Sequence, residues 1–225
     1  MKEYVLSVDC CSEWTTLGLA ENGTVRGEVN IDAGKKQSAI LPDLLRAFLD
    51  AFSLVVEDIS MFGVVAGPGS FTGIKVGISF VTFLAWAGKK PVIPLSSLEC
   101  MAFGKIGRNE GIAAPLLWAG GGKVYGSLFR TGKEGCAPKR LCAAGAYTPD
   151  GFLDAISASG CDAGDILWVT DRPEKTAPLF PSFGDRFEKF IPGGALTAEL
   201  TLRRRDRALT PAEVRANYLR DPDLG

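Results

Sequence analysis

Val64-Val65-Ala66-Gly67-Pro68-Gly69-Ser70-Phe71-Thr72-Gly73-Ile74-Lys75-Val76-Gly77-Ile78 holds three local signals in one run. Met61 to Ala66 is apolar without alternation, as in a strand buried on both faces. Gly67 to Gly73 is a glycine-rich turn, and Ile74 to Trp86 reads as a helix. Strand, glycine turn and helix N-terminus in that order aim backbone N–H groups and the positive end of the helix dipole at one spot. Phosphate suits that physics, but the known phosphate spacings differ. A Walker A loop has four residues between its glycines and then Lys, whereas Gly67 and Gly73 are separated by five and Ile74 follows. The dinucleotide fingerprint needs its third glycine one residue earlier. Two readings stay open: a tight turn in which Gly73 lets the helix approach the sheet, or a phosphate contact through Gly67, Gly69, Ser70 and Thr72.

Before this stretch the sequence predicts three antiparallel strands and a helix. Val5 to Asp9 and Thr15 to Ala20 flank the turn Cys10-Cys11-Ser12-Glu13, and Asn22-Gly23 is a hairpin signal leading into the alternating Val25 to Ile31. Ile40, Leu41, Leu44, Leu45, Phe48, Leu49 and Phe52 recur at helical spacing, with Pro42 in the expected first turn. After it, Pro91 to Leu95 reads as a strand and Ser96-Ser97 as the cap of a helix to about Phe103. Asp9 ends the first strand, where a carboxylate could handle a metal ion or water, or merely cap the turn.

The order then restarts. Pro115 to Trp118, Gly120-Gly121-Gly122 and Val124 to Phe129 repeat the opening hairpin, with Ala119 at the place of Asp9 and Thr131-Gly132-Lys133 at that of Glu21-Asn22-Gly23. An extended segment at 140–148, a helix from Pro149 to Ala158 and the strand Ile166 to Thr170 follow. Beyond Arg172 the chain is proline-rich and weakly periodic, expected to wrap the surface with a short helix from Pro211 to Leu219. Two successive β-β-β-α-β-α units predict an α/β fold of the actin, Hsp70 and sugar-kinase kind. Its lobes are expected at 1–105 and 106–225, the second ending in an irregular segment.

Composition narrows the chemistry. The 225 residues contain no His, which excludes Ser-His-Asp and Cys-His catalysis and His-ligated metals on this chain. Lys plus Arg number 25 against 26 Asp plus Glu, so no overall charge draws the chain to nucleic acid or membrane. The six cysteines form no C-x-x-C pair, and the start carries no signal-peptide core; the chain reads as cytoplasmic. The apolar stretch at 74–88, interrupted by Lys75, Gly77 and Ser79, is read as too short to span a bilayer. Arg203-Arg204-Arg205-Asp206-Arg207 is read as a solvated face, with an RNA or acidic contact as the alternative, and the four tryptophans as core. The helix from Ile74 to Trp86 is apolar all round, which one neighbouring sheet cannot cover. Its cover is either the helix 40–52 or a partner subunit, for which Leu41, Leu45, Phe48, Ile74, Lys75, Gly77, Ile78, Val81 and Leu84 are the candidate interface residues.

The string from Val64 to Leu95, with Ser96-Ser97-Leu98-Glu99 behind it, resembles the TsaB family of threonylcarbamoyladenosine biosynthesis. The Asp9 hairpin, Leu41-Pro42, Val124-Tyr125 and Tyr218-Leu219-Arg220 also match, so the resemblance covers nearly the whole chain. It implies an actin-like two-lobed fold with a truncated second lobe, and a non-catalytic subunit that supports TsaD in making t6A at position 37 of tRNA. ATP and the His-bound metal are then expected on the partner, with none on this chain. The first two helices are then the heterodimer surface, usable also for a homodimer. The resemblance also implies that an adenylate-forming ATPase subunit, TsaE, joins a larger complex, and that tRNA is met only indirectly. The sequence departs from the family at Lys36-Gln37-Ser38-Ala39-Ile40, at Cys10-Cys11 and at Trp118-Ala119-Gly120. Beside this stand a small-molecule kinase with Asp9 as base, and a homodimeric binding module.

Overall fold

The computed structural model describes residues 2–106, 111–132 and 136–219. Lys133 and Arg220, both used in the sequence comparison above, lie outside them. Two compact units emerge: Met1–Ser97 with Pro192–Asn217, and Leu98–Ile191 with Tyr218–Gly225.

The first unit opens with β1 (Tyr4–Asp9), β2 (Trp14–Glu21) and β3 (Thr24–Asp32), joined antiparallel. The Asn22-Gly23 turn has positive φ at both residues, the geometry that matches the twist of a tight hairpin. α1 (Gln37–Asp50) starts earlier than its apolar spacing indicated, so Pro42 falls inside the helix rather than in its first turn. β4 (Ile59–Val65) lies parallel to β1, α2 (Phe71–Gly88) follows, and β5 (Val92–Leu95) completes the sheet order β3-β2-β1-β4-β5. Leu6, Val8, Leu17, Leu19, Phe62 and Val64 pack with Leu41, Leu45, Phe48 and Val81 as this unit's core. α3 (Ser97–Ile106) begins directly after β5.

In the second unit β6 (Gly111–Gly120) takes the place of β1. The strand expected from Val124 to Phe129 is interrupted: β7 (Lys123–Gly126) pairs with the last part of β6 and β8 (Phe129–Thr131) with the first. The extended segment near 140–148 is likewise split into β9 (Lys139–Arg140), beside β8, and β10 (Gly145–Tyr147), beside β7. After α4 (Pro149–Ala158), capped by Thr148, β11 (Ile166–Thr170) runs parallel to β6. α5 (Pro173–Thr176) is one turn long where the first unit has the 18-residue α2, and β12 (Phe187–Lys189) closes the order β10-β7-β6-β11-β12. Trp168 anchors the core, stacked 4.9 Å from Phe183 and tilted 5.4 Å from Phe180.

The stretch after Arg172 is corrected in two respects. α6 (Gly194–Arg203) is a helix that packs on β1, β2 and β3, so residues 192–217 join the first unit rather than the second lobe in which they were expected. Its contact surface is made of small residues. A Cβ on Gly18 would stand 1.8 Å from Gly194 O, and one on Gly63 would stand 2.0 Å from Thr201 Oγ1. β3 supplies acceptors for the first turn: Gly194 N–H donates to Asn30 Oδ1 at 2.8 Å and Ala195 N–H to Glu28 Oε2 at 2.9 Å. The helix expected from Pro211 to Leu219 is only a 3-10 turn, Pro211–Glu213, because the segment is held by bonds to other elements.

Candidate functional site: a closed turn and an open helix face

The glycine loop and the turn after Asp9 meet within the first unit. Ser70 is the N-cap of α2, its Oγ accepting from Gly73 N–H at 3.3 Å. Ser70 N–H donates to Cys11 O at 2.7 Å. A Cβ on Gly69 would stand 2.2 Å from Cys11 O, and one on Gly73 would stand 1.9 Å from Cys10 O. The glycines therefore admit the chain's own carbonyl oxygens. Gln37 locks the same turn, its Nε2 donating to Cys10 O, Ser12 O and Trp14 O at 3.2, 2.8 and 3.0 Å. Of the residues considered for a phosphate, Asp9 and Gly67 are buried and Gly69 is half-buried, while Ser70 and Thr72 lie at the surface. The turn reading fits this geometry: the carbonyls of Cys10 and Cys11 face the glycines that a phosphate would have to approach.

Asp9 is 6% exposed, and its Oδ1 accepts from Cys11 N–H at 2.7 Å. Burial pushes its carboxyl up to about 6, only partly offset by that bond. Burial also pushes the Cys10 thiol up to about 12, and that of Cys11 well above its ordinary range, with the Asp9 charge adding to both. Neither is a thiolate at neutral pH, so neither is an activated nucleophile. Cys11 Sγ–H donates to Val65 O at 3.1 Å, tying the turn to β4.

The equivalent hairpin of the second unit needs its glycines for the turn itself. Gly121 and Gly122, with φ of +59° and +71°, are the central residues between the paired Gly120 and Lys123, and a Cβ on either would meet nothing. Trp118 is 42% exposed and not core, with Lys175 Nζ 4.5 Å from its ring centre. In the basic cluster, Arg205 grips Glu3 with two bonds of 2.9 and 2.8 Å and Arg203 pairs with Glu199. Among the described residues no group of three or more Cys, Asp or Glu side chains converges to hold a metal ion.

α2 is the other notable feature. At 18 residues with a mean hydropathy of 1.4 it is long and apolar enough to cross a membrane, which corrects the reading of this stretch as too short. One face packs on β4 and α1. Of the interface candidates, Leu41, Leu45 and Phe48 on α1 and Val81 on α2 are buried in this unit's core, and Ile74 and Gly77 on α2 are buried as well. Ile78 and Leu84 are half-buried and Lys75 is exposed. The outward face is Phe71, Lys75, Ser79, Phe83 and Trp86, with Lys75 Nζ 4.0 Å over the Phe71 ring and Phe83 and Trp86 exposed by 66% and 71%. Ser79, Thr82, Phe83 and Trp86 line a groove of about 340 Å³ whose other wall is Pro211 and Ala212. Phe83, Trp86, Pro211 and Ala212 were missed from the sequence. A signal for the first two existed: Lys75 and Ser79 mark the outward face at four-residue spacing, and the same step leads to Phe83.

Two mixed sheets in the order 3-2-1-4-5, each with helices inserted after its third and fourth strands, define an α/β protein of the actin-like class. The chain belongs to the family described as "TsaD: tRNA N6-adenosine threonylcarbamoyltransferase", whose profile matches residues 24–143, and within it is a TsaB-like member. It is 29% identical over 127 residues to the tRNA threonylcarbamoyladenosine biosynthesis protein TsaB of Bacillus subtilis strain 168, covering 56% of this chain and 55% of that one. Against the protein of the same name from Escherichia coli K12 it is 30% identical over 134 residues, covering 58% and 57%. The chain thus spans little more than half the length of these relatives. The solved structure of YeaZ from Pseudomonas aeruginosa superposes with a TM-score of 0.76 at 17% identity, over 96% of this chain and 100% of that one, a likeness of fold.

Proposed function

We propose that this chain is a cytoplasmic, non-catalytic subunit of t6A biosynthesis that binds a TsaD-type threonylcarbamoyltransferase through α2. The observation that carries the reading is the outward face of α2. A helix with Phe83 and Trp86 open to water, beside a core already complete, is built to be covered. The family match supports the choice of partner. The matched region contains both α1 and α2, so a transferase of the same family has its own version of this helix pair, and two such pairs can pack about a pseudo-twofold axis. The same geometry permits a homodimer in the absence of the transferase. Lys75, Ile78 and Leu84 remain in the proposed interface, joined by Phe71, Phe83 and Trp86.

Under this reading ATP, metal and the reacting groups belong to the transferase. TsaE, as ATPase, and tRNA reach this chain only through the complex. The closed turn at Cys10-Cys11 supports the assignment, because a kinase base at Asp9 would need an approach that the turn fills with its own backbone. The experiment is co-purification and calorimetry with the cognate transferase. Wild type is expected to form a stable complex, and Phe83→Asp with Trp86→Asp to abolish it while leaving the fold intact. An unchanged complex after both substitutions would remove the interface.

A further inference from the structure

The segment from Leu209 to Asn217 has one turn of 3-10 helix and otherwise no regular structure, yet it is anchored along its whole length. Leu209 exchanges two backbone bonds of 2.9 Å with Val92, the outermost strand of the sheet. Thr210 N–H and Oγ1–H donate to Glu213 Oε2 at 2.9 and 2.7 Å, while Glu213 N–H donates back to Thr210 O at 3.0 Å. Val214 is buried in the core shared by α1 and α2. Asn217 N–H donates to Ala66 O at 2.7 Å, and its side-chain amide reaches Gly67 O at 3.4 Å. Between these anchors, Pro211 and Ala212 lie against α2 as the far wall of the groove that Phe83 and Trp86 open.

Ordering these nine residues costs on the order of 10 kcal/mol of conformational entropy, so a segment held at so many points has something to hold in turn. What it touches is consistent: the end of β4, the loop that starts α2, the β5 edge and the outward flank of α2. We infer that Leu209–Asn217 is a brace that fixes the partner-binding face of α2, with Glu213 as the residue that keeps Pro211 and Ala212 in place. This rests on the partner role proposed above for α2. Glu213 acts at a distance from the contact, as a positioning residue. Its box sets the direction in which Pro211 leaves Thr210, and so the width of the groove beside Trp86.

Glu213 and Thr210 are exposed, so their replacement leaves the core untouched. Calorimetry of the full-length chain with the cognate transferase should show Glu213→Ala binding at least tenfold more weakly, and Glu213→Gln, which still accepts from Thr210, within threefold of wild type. Hydrogen exchange of the chain alone should show amides from Phe83 to Gly88 opening severalfold faster in Glu213→Ala and unchanged in Glu213→Gln. If wild type binds and Glu213→Ala binds equally well, the brace is overturned and the partner role stands. If wild type does not bind, the partner role falls, and exchange alone decides the brace: equal rates in Glu213→Ala and wild type overturn it.

Discussion

Asp9 shows most clearly what single residues decide. Its carboxyl has a folded-state value of about 6 against an ordinary 3.8, so the folded chain holds the proton more tightly than the unfolded one. The stabilising contribution is therefore complete below about pH 3.8 and is lost as pH rises through about 6. Above that range the buried charge costs up to about 3 kcal/mol. Asp9→Asn keeps an acceptor for Cys11 N–H and has no charge to bury. It should stabilise the fold at pH 8 by about 1–3 kcal/mol and by almost nothing at pH 4, as read by urea unfolding. A variant less stable than wild type at pH 8 would contradict this account of Asp9. Gln37 is the opposite case. Gln37→Ala removes the donor that the carbonyls of Cys10, Ser12 and Trp14 share and should cost about 1–3 kcal/mol at any pH. The Asp9 position was legible in the sequence, as the end of a strand. The role of Gln37 was not, because a polar residue before an apolar helix looks like a surface residue until its three acceptors are in view.

Among the elements, those with strong apolar periods were legible and those packed through small residues were not. β1 to β5, α1, α2 and α4 all lie close to where alternation or helical spacing put them. α6 left no such trace. Its buried positions include Gly194, Thr197, Ala198 and Thr201, and its partners are Ser7, Gly18 and Gly63, a contact of close approach rather than large side chains. Gly18→Ala should therefore destabilise by about 2–4 kcal/mol, since Gly194 O is backbone and cannot step aside. Thermal unfolding within a degree or two of wild type would show that α6 yields more easily than this contact implies. For α2, substitutions separate the buried face from the outward one. Val81→Asp, at 0% exposure, should unfold the first unit, whereas Phe83→Asp should leave its melting temperature nearly unchanged and act only on association.

Across the whole molecule, the duplication was readable from the order of elements and the family resemblance from one loop. The return of residues 192–217 to the first unit was not, because the signal for it lies in glycines scattered through β2, β4 and α6. The glycine-free turn after Asp9 was visible in the sequence, and in the structure the loop and turn are filled by their own backbone. The central claim is the proposal that this chain enables a TsaD-type enzyme by docking on it through the outward face of α2. The most direct test is reconstituted threonylcarbamoylation of tRNA with the cognate transferase and the adenylate-forming enzyme, run without this chain, with it, and with its Phe83→Asp/Trp86→Asp variant. The account predicts modification with the wild-type chain but neither without it nor with the α2 double variant and, under the same conditions, full activity with Asp9→Asn. Equal modification without the chain, or with the α2 double variant, would contradict it.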